Sequence, residues 1–247
     1  MDNFFTSHMK ELYLKAQNEN RFLFSRFLNS EEISELLSIF PKNSALTLFG
    51  GTQDCERLVA RFGNARELGY EQDFPIVCIA LTPLNIKFAD AFSHRDVLGA
   101  LMNLGIERSL IGDIVIKDNS VFVFALEGAA DYIAENLTKI RHTDVQAELC
   151  AAVPDSAAAN TEPIELIVSS LRADCVTAAA FNFSRTASAD LFEMKRIFIN
   201  SAQAKNGSAI LKPGDRVSVR GVGKFVFSGE KGVTKKGRLI IVIEKYI

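Results

Sequence analysis

Between Ile76 and Cys150 apolar runs and helical stripes follow one another in an order that limits the possible folds more than any other feature of the chain. Ile76–Thr82 is an apolar strand stopped by Pro83. Ser93 or His94 opens a helix that runs to about Leu104. Asp113–Lys117 and Val121–Leu126 are strands joined by Asp118-Asn119-Ser120, a hairpin turn signal. Ala129–Ile140 is an amphipathic helix with Ile133 and Leu137 on one face, and Val145–Cys150 closes as a strand. The order β-α-β-β-α-β is the ferredoxin-like, or split βαβ, plan, and RNA-recognition-motif (RRM-like) domains share its topology. Phe122 and Phe124 alternate with Val121 and Val123 on the third strand. They offer either a base-stacking platform or packing beneath the helices. Burial tendencies favour packing, and the chain has no RNP-type Lys/Arg-Gly-Phe string.

The rest of the chain is expected to add smaller domains, since 247 residues suit two or three. Residues 2–62 read as mostly helical. Phe22–Leu28 and Ile33–Phe40 flank Asn29-Ser30-Glu31-Glu32, where Asn29 and Glu32 have capping-box spacing. Ala45–Phe49 reads as a strand. Gly50-Gly51-Thr52 then turns into a helix from Asp54 to about Phe62, and the turn is better read as a sharp connection than as an anion site. Ala151–Pro163 reads as a linker. The expected class is therefore α+β, with a helical N-terminal domain over 1–72, the ferredoxin-like domain over 73–151, a linker over 152–166 and a C-terminal domain over 167–247. Hydrophobic residues make up 48%, as in ordinary globular proteins, and the apolar runs are too short for a membrane span. Met1-Asp2-Asn3-Phe4-Phe5 lacks the basic flank and apolar core of a signal peptide. Cys55, Cys78, Cys150 and Cys175 are widely spaced, without a Cys-x-x-Cys pair. They read as reduced, mostly buried thiols, and neither a metal site nor a cofactor is expected.

Charge divides the chain. Residues 161–247 hold 14 Lys+Arg against 8 Asp+Glu, whereas residues 1–160 hold 14 against 22. A basic module on an acidic body reads about equally as a polyanion-binding face or as a solvated Lys-rich surface, and the sequence motif favours the first. Its sequence has matching parts: Arg172-Ala173-Asp174, Phe183-Ser184-Arg185, Lys195-Arg196-Ile197-Phe198-Ile199-Asn200 and Pro213-Gly214-Asp215 followed by Arg216–Arg220. Ser184 is placed to cap a helix running to about Met194. That helix start, with Arg185 beside it, presents free N–H groups and the positive end of the helix dipole to a phosphate. Gly214-Asp215 is a tight turn into the strand Arg216–Arg220.

Arg172–Lys224 resembles the S-four-type RNA-binding domain, in which two helices pack on a small sheet (the αL motif). The spacing from Asn200 to Gly214-Asp215 fits without a gap, and Ser208 falls where the family often has Ser. Ala173 replaces the usual Leu of Arg-Leu-Asp. Lys195 stands where Gly usually ends the helix, and Ser201 where Gly usually follows Asn. Lys195 is therefore expected in a left-handed conformation, at some cost. Arg172, Ser184, Arg185, Lys195, Arg196, Asn200, Arg220 and Lys224 are the candidate RNA-binding residues. Asp174 is expected to hold a neighbouring Arg or a backbone amide. Lys235, Lys236 and Arg238 lie in an expected hairpin loop and read equally as further contacts or as a solvated turn.

His94-Arg95-Asp96 invites comparison with a protein kinase, and the comparison fails. The kinase Asn would stand five residues after the Asp, where Leu101 lies, and neither Asp-Phe-Gly nor a phosphate loop accompanies it. A His94/Asp96 acid–base pair is disfavoured because residues i and i+2 of a helix do not face each other. A helix cap, ion pairs, or phosphate contacts from His94, Arg95 and Arg108 fit better. No catalytic residue is assigned. Together with the C-terminal module, this string, its continuation to Ile111-Gly112-Asp113-Ile114, Phe49-Gly50-Gly51, Glu56-Arg57 and Leu81-Thr82-Pro83-Leu84 resemble the YlmH family of bacterial proteins over nearly the whole chain. The resemblance implies a cytoplasmic factor that binds large-subunit rRNA and tRNA and takes part in rescue of stalled ribosomes. Untemplated C-terminal alanine addition, alongside a NEMF-type partner, is part of that role. It leaves the oligomeric state open. The rival class is an RNA-modifying enzyme, because S-four-type modules are often joined to pseudouridine synthases and methyltransferases. No synthase-type Gly-Arg-Leu-Asp segment or methyltransferase glycine loop is present.

Overall fold

The first helix, α1 (Phe4–Glu19), buries Met9 and Ala16. It precedes β1 (Leu23–Leu28), α2 (Ser30–Ile39), β2 (Leu46–Phe49), β3 (Leu58–Phe62) and the single turn α3 (Ala65–Leu68). The structure, a computed structural model, describes residues 4–41, 45–86, 89–117, 120–154, 157 and 160–246. They divide into two units, 1–158 and 159–247. Asn29 caps α2 through the expected capping box. Its side chain accepts from the Glu31 and Glu32 N–H groups, and the Glu32 carboxylate accepts from the Asn29 N–H. The mostly helical expectation for this part is corrected. The runs Phe22–Leu28 and Asp54–Phe62, both expected to be helical, supply strands that join β2 in an antiparallel sheet of order β1-β3-β2. The reason is double-sided burial. Leu28, Ala60 and Phe62 pack toward the helices, while Phe27 and Val59 pack on the opposite face. A strand covered on both faces loses the polar alternation that distinguishes it from a helix.

The second part of this unit contains β4 (Ile76–Pro83), α4 (His94–Asn103), a 3-10 turn (Arg108–Leu110), β5 (Ile111–Lys117), β6 (Ser120–Leu126), α5 (Glu127–Asn136), β7 (Lys139–Ile140) and β8 (Thr143–Leu149). The elements occur in the expected order, and the strands form one antiparallel sheet, β5-β6-β4-β8-β7. Lys117 pairs with Ser120 across the hairpin, whose turn residues Asp118 and Asn119 lie outside the described residues. Helix α5 stops at Asn136 rather than Ile140, because Lys139 and Ile140 pair with Asp144 and Thr143. Leu137 and Ile140 remain buried.

Alternation assigns the two faces of this sheet. Ile79, Leu81, Val121, Val123 and Ala125 pack with Val97 and Leu101 of α4 and with Ala129, Ala130 and Ile133 of α5. Cys78, Phe122 and Phe124 point the other way, onto Phe27, Cys55, Val59 and Ala157. Packing of the two phenylalanines was expected under helices. It occurs instead against the sheet of β1 and β3. The fit is tight: a Cβ on Gly51 would lie 2.2 Å from the Phe124 ring, and one on Gly112 2.6 Å from the Phe27 ring. Arg57 adds a polar link. Its guanidinium donates to the carbonyls of Ile111 (3.0 Å), Phe27 (3.2 Å) and Arg108 (3.3 Å). Asp113 accepts from the Glu56 and Arg57 N–H groups at 2.7 and 2.9 Å.

The C-terminal unit starts earlier than expected. Thr161 to Leu166 fall in the predicted linker, yet they form most of β9 (Thr161–Val168), which pairs with the last strand. Then come α6 (Ala173–Ala180), α7 (Arg185–Glu193), β10 (Ile197–Ile199), β11 (Ala202–Gln203), β12 (Arg216–Val219), β13 (Gly223–Val233) and β14 (Leu239–Tyr246). The six strands are antiparallel in the order β11-β10-β12-β13-β14-β9. Val176 and Phe192 from the helices pack with Val217, Phe225, Phe227, Ile241 and Ile243 of the sheet. Among the described residues no helix is long and apolar enough to cross a membrane.

Candidate nucleic-acid interface

The two helix starts in the C-terminal unit differ in how their first N–H groups are used. At α6 the first N–H groups are already used: Ala173 donates to the Ala209 carbonyl (2.8 Å) and Asp174 to that of Gly207 (3.0 Å). This needs close approach, since a Cβ on Gly207 would lie 2.6 Å from Asp174 Cβ. At α7 the Ser184 hydroxyl accepts from the Ala187 N–H at 3.0 Å, as its cap position predicts. Arg185 follows as the first helical residue and is exposed. The α7 start therefore keeps the positive end of the helix dipole and a guanidinium facing solvent. Ser188 anchors α7 to α6 by donating to the Asp174 carbonyl at 2.9 Å.

Arg172 and Arg185 line one cleft of about 300 Å³ with Ser169, Ser170, Asp174 and Cys175. Asp174 orients Arg172, as expected. The guanidinium makes a paired contact, Nε to Oδ1 at 3.1 Å and Nη2 to Oδ2 at 2.6 Å. Asp174 also accepts from the Cys175 N–H at 2.7 Å. Hydrogen bonding from Arg172 holds the Asp174 carboxyl below the usual carboxylate range, and the same contact raises the Arg172 pKa. The carboxylate leaves the outer edge of the Arg172 fork for another acceptor. Ser169, Ser170 and Cys175 were not singled out from the sequence. Only their closeness in the chain to Arg172 and Asp174 could have suggested them.

The remaining candidates form other groups. Arg196 donates to the Arg220 carbonyl at 2.5 Å, which joins the end of α7 to the β12–β13 turn. Lys195 has the expected left-handed backbone, with φ 58°, and Asn200 and Ser201 share it at 50° and 65°. Asn200 is a turn clamp: its Nδ2 donates to Asp215 Oδ1 at 2.8 Å, and its Oδ1 accepts from the Arg216 N–H at 2.9 Å. The half-buried Lys224 places its Nζ 4.6 Å from the centre of the Tyr246 ring. Lys235, Lys236 and Arg238 lie in the β13–β14 hairpin loop, closed by a hydrogen bond from the Thr234 N–H to the Arg238 carbonyl.

In the N-terminal unit, Ser93 and Asp96 form a capping box. The Asp96 N–H donates to the Ser93 hydroxyl oxygen, and the Asp96 carboxylate accepts from the Ser93 N–H at 3.0 Å. The Ser93 hydroxyl also donates to the Asp96 carboxylate at 2.6 Å, and this bond first, then the one from the Ser93 N–H, lowers the Asp96 pKa. The His-Arg-Asp string is thus built around a helix cap. His94 is the first residue of α4; partial loss of water, then the Arg108 charge, push its pKa down. Arg108 is tied inward, donating to the carbonyls of Ile111 (2.5 Å) and Gly112 (3.1 Å). Burial first, then the neighbouring Arg57 charge, lower its pKa to about 10. Arg95 is exposed. Cys55, Cys78, Cys150 and Cys175 are thiols rather than disulfides. Burial pushes the Cys78 thiol up to about 12, helped by Cys150 beside it. Among the described residues no group of His, Cys, Asp and Glu is arranged to hold a metal ion.

A family model described as "Putative RNA-binding domain in YlmH" matches residues 70–152. Ribosome-associated protein quality control protein P2 of Bacillus subtilis (strain 168) is 30% identical over 235 residues, covering 93% of this chain and 90% of that protein. The solved structure of cell division protein ylmH from Streptococcus pneumoniae covers 61% of this chain and 94% of its own, at 17% identity and a TM-score of 0.48.

Proposed function

The chain belongs to the YlmH family, and on that premise we propose that it is an RNA-binding factor acting in ribosome-associated quality control. The observation that carries this reading is the convergence of Arg172 and Arg185 on one cleft beside the capped, solvent-facing start of α7. A paired guanidinium and a helix dipole favour a phosphate there. Arg196 with Arg220, then Lys195 and Lys224, extend the contact along an RNA backbone, while Ser184 and Asn200 chiefly hold the local structure. The C-terminal unit serves as an S-four-type module with its αL motif. Residues 73–151 serve as a ferredoxin-like domain packed on residues 1–72.

The site of action in this proposal is the large ribosomal subunit in the cytoplasm, where the module grips rRNA and tRNA. There the protein supports alanine tailing of a stalled chain beside a NEMF-type factor, by binding rather than by catalysis. The name and 30% identity of the Bacillus subtilis relative support the ribosomal setting. The test is co-sedimentation with purified bacterial large subunits on sucrose gradients, for the natural chain and for Arg185→Glu. The natural chain should travel with the subunits, and Arg185→Glu should bind at least ~10-fold more weakly, with a flatter salt dependence. If the natural chain stays at the top of the gradient at low salt, the proposal is wrong.

A further inference from the structure

We propose that a second cleft, on the helix side of the β5-β6-β4-β8-β7 sheet, holds the sugar–phosphate backbone of folded RNA through Arg95, Lys139 and Arg141. It rests on the RNA-binding reading above but uses residues of the other unit. The cleft measures about 510 Å³ and runs along one side of α4, from Arg95 to Leu104, against the end of α5 and the β7–β8 turn. Its cations come from three elements: Arg95 from α4, Lys139 from β7, and Arg141 from the turn, where its backbone is left-handed at φ 55°. All three are exposed. Asn103 and Asn136 line the same space; Asn136 donates to the Tyr132 carbonyl.

Two carboxylates approach these cations without saturating them. Asp96 lies 3.7 Å from Arg141, and Asp144 lies 3.7 Å from Lys139. Both distances exceed a hydrogen bond, so the cationic donors stay available. Asp96 is in addition occupied by Ser93. A positive cleft is an exception here, since residues 1–160 carry 22 Asp+Glu against 14 Lys+Arg.

The choice of ligand follows from what the rest of this part withholds. Single-stranded bases stack on aromatic platforms. The aromatic face of this sheet, with Phe122 and Phe124, is closed by Phe27 and Val59. The open cleft offers charge and amide donors but no aromatic ring among its lining residues. That set suits phosphate oxygens rather than bases, and therefore a structured RNA read by its backbone.

The test is equilibrium binding of the labelled full chain to purified bacterial large ribosomal subunits across a KCl series. The natural chain, Arg185→Glu, and the combined variant Arg95→Gln/Lys139→Gln/Arg141→Asn are compared. Asn is chosen at 141 because it tolerates a left-handed backbone. The combined variant should bind at least ~10-fold more weakly, with a log–log salt slope reduced by about 2, the loss of two to three phosphate contacts. Restoring charge as Arg95→Lys/Arg141→Lys should return most of that slope. If the combined variant matches the natural chain while Arg185→Glu is weakened, the cleft is not an RNA site and the C-terminal reading stands. If the natural chain itself fails to bind, the RNA reading falls and the cleft with it. Should the combined variant melt early, Arg95→Gln alone is the substitute, with an expected slope change of about 1; an unchanged slope would overturn the cleft.

Discussion

Two regions of this protein carry residues that suggest RNA binding, and burial separates them. On the middle sheet, Phe122 and Phe124 alternate with valines along β6, a pattern that reads in the sequence as either a base-stacking platform or core. Both are covered, and Phe124 is fully buried. In the C-terminal unit, Arg185 stands exposed beside a capped helix start. Residue type alone would rank the aromatic strand at least as high as the arginines. A face serves as a binding surface only if no other element of the chain gains more by covering it. Burying each Phe stabilises by about 1.5–3 kcal/mol. The β1–β3 sheet takes that gain, so the aromatics become core.

Three substitutions break or sharpen this contrast. Phe124→Ala has the largest expected effect. It opens a cavity between the two sheets and should cost about 3–5 kcal/mol in chemical denaturation. The affinity of the still-folded protein for large subunits should not change. An affinity loss without a stability loss would restore the stacking platform and undo the comparison.

Asn200→Ala is next. It removes the bonds to Asp215 and the Arg216 N–H and places Ala in a left-handed backbone, a change expected to cost about 2 kcal/mol. The affinity of the folded variant for large subunits should match that of the natural chain, because Asn200 acts as a clamp. An affinity loss in the folded protein would make it a direct contact.

Lys195→Gly has the smallest effect and the opposite sign. Relieving the φ of 58° should raise stability by up to about 1 kcal/mol. Loss of one cation should lower the salt slope by less than about 1. Equal stability would mean that Lys195 makes a compensating contact.

The parts legible in the sequence are those governed by neighbours along the chain. Asn29 with Glu32, and Ser184 ahead of Arg185, form the caps their spacing predicts. Gly214 makes the turn into β12 with φ 92°. Asp174 holds Arg172, as two residues so close should. The misread parts depended on distant partners. Phe22–Leu28 looked helical because both its faces are apolar, and both are apolar because two different layers cover them. Thr161–Leu166 looked like a linker, but β14 recruits it into the sheet.

The sequence by itself determined the order of elements from Ile76 to Leu149, the caps and turns, and the split between an acidic body and a basic module. Each depends on periodicity, backbone preference or charge count, which act over a few residues or simply add up. Only the tertiary structure decided which sheet face is closed, which arginines face water and which are tied to main-chain carbonyls, and that Arg172 and Arg185 share one cleft. These depend on which residues, far apart along the chain, come within a few ångströms. Competition for burial and for hydrogen-bond partners settles that only when the whole unit folds.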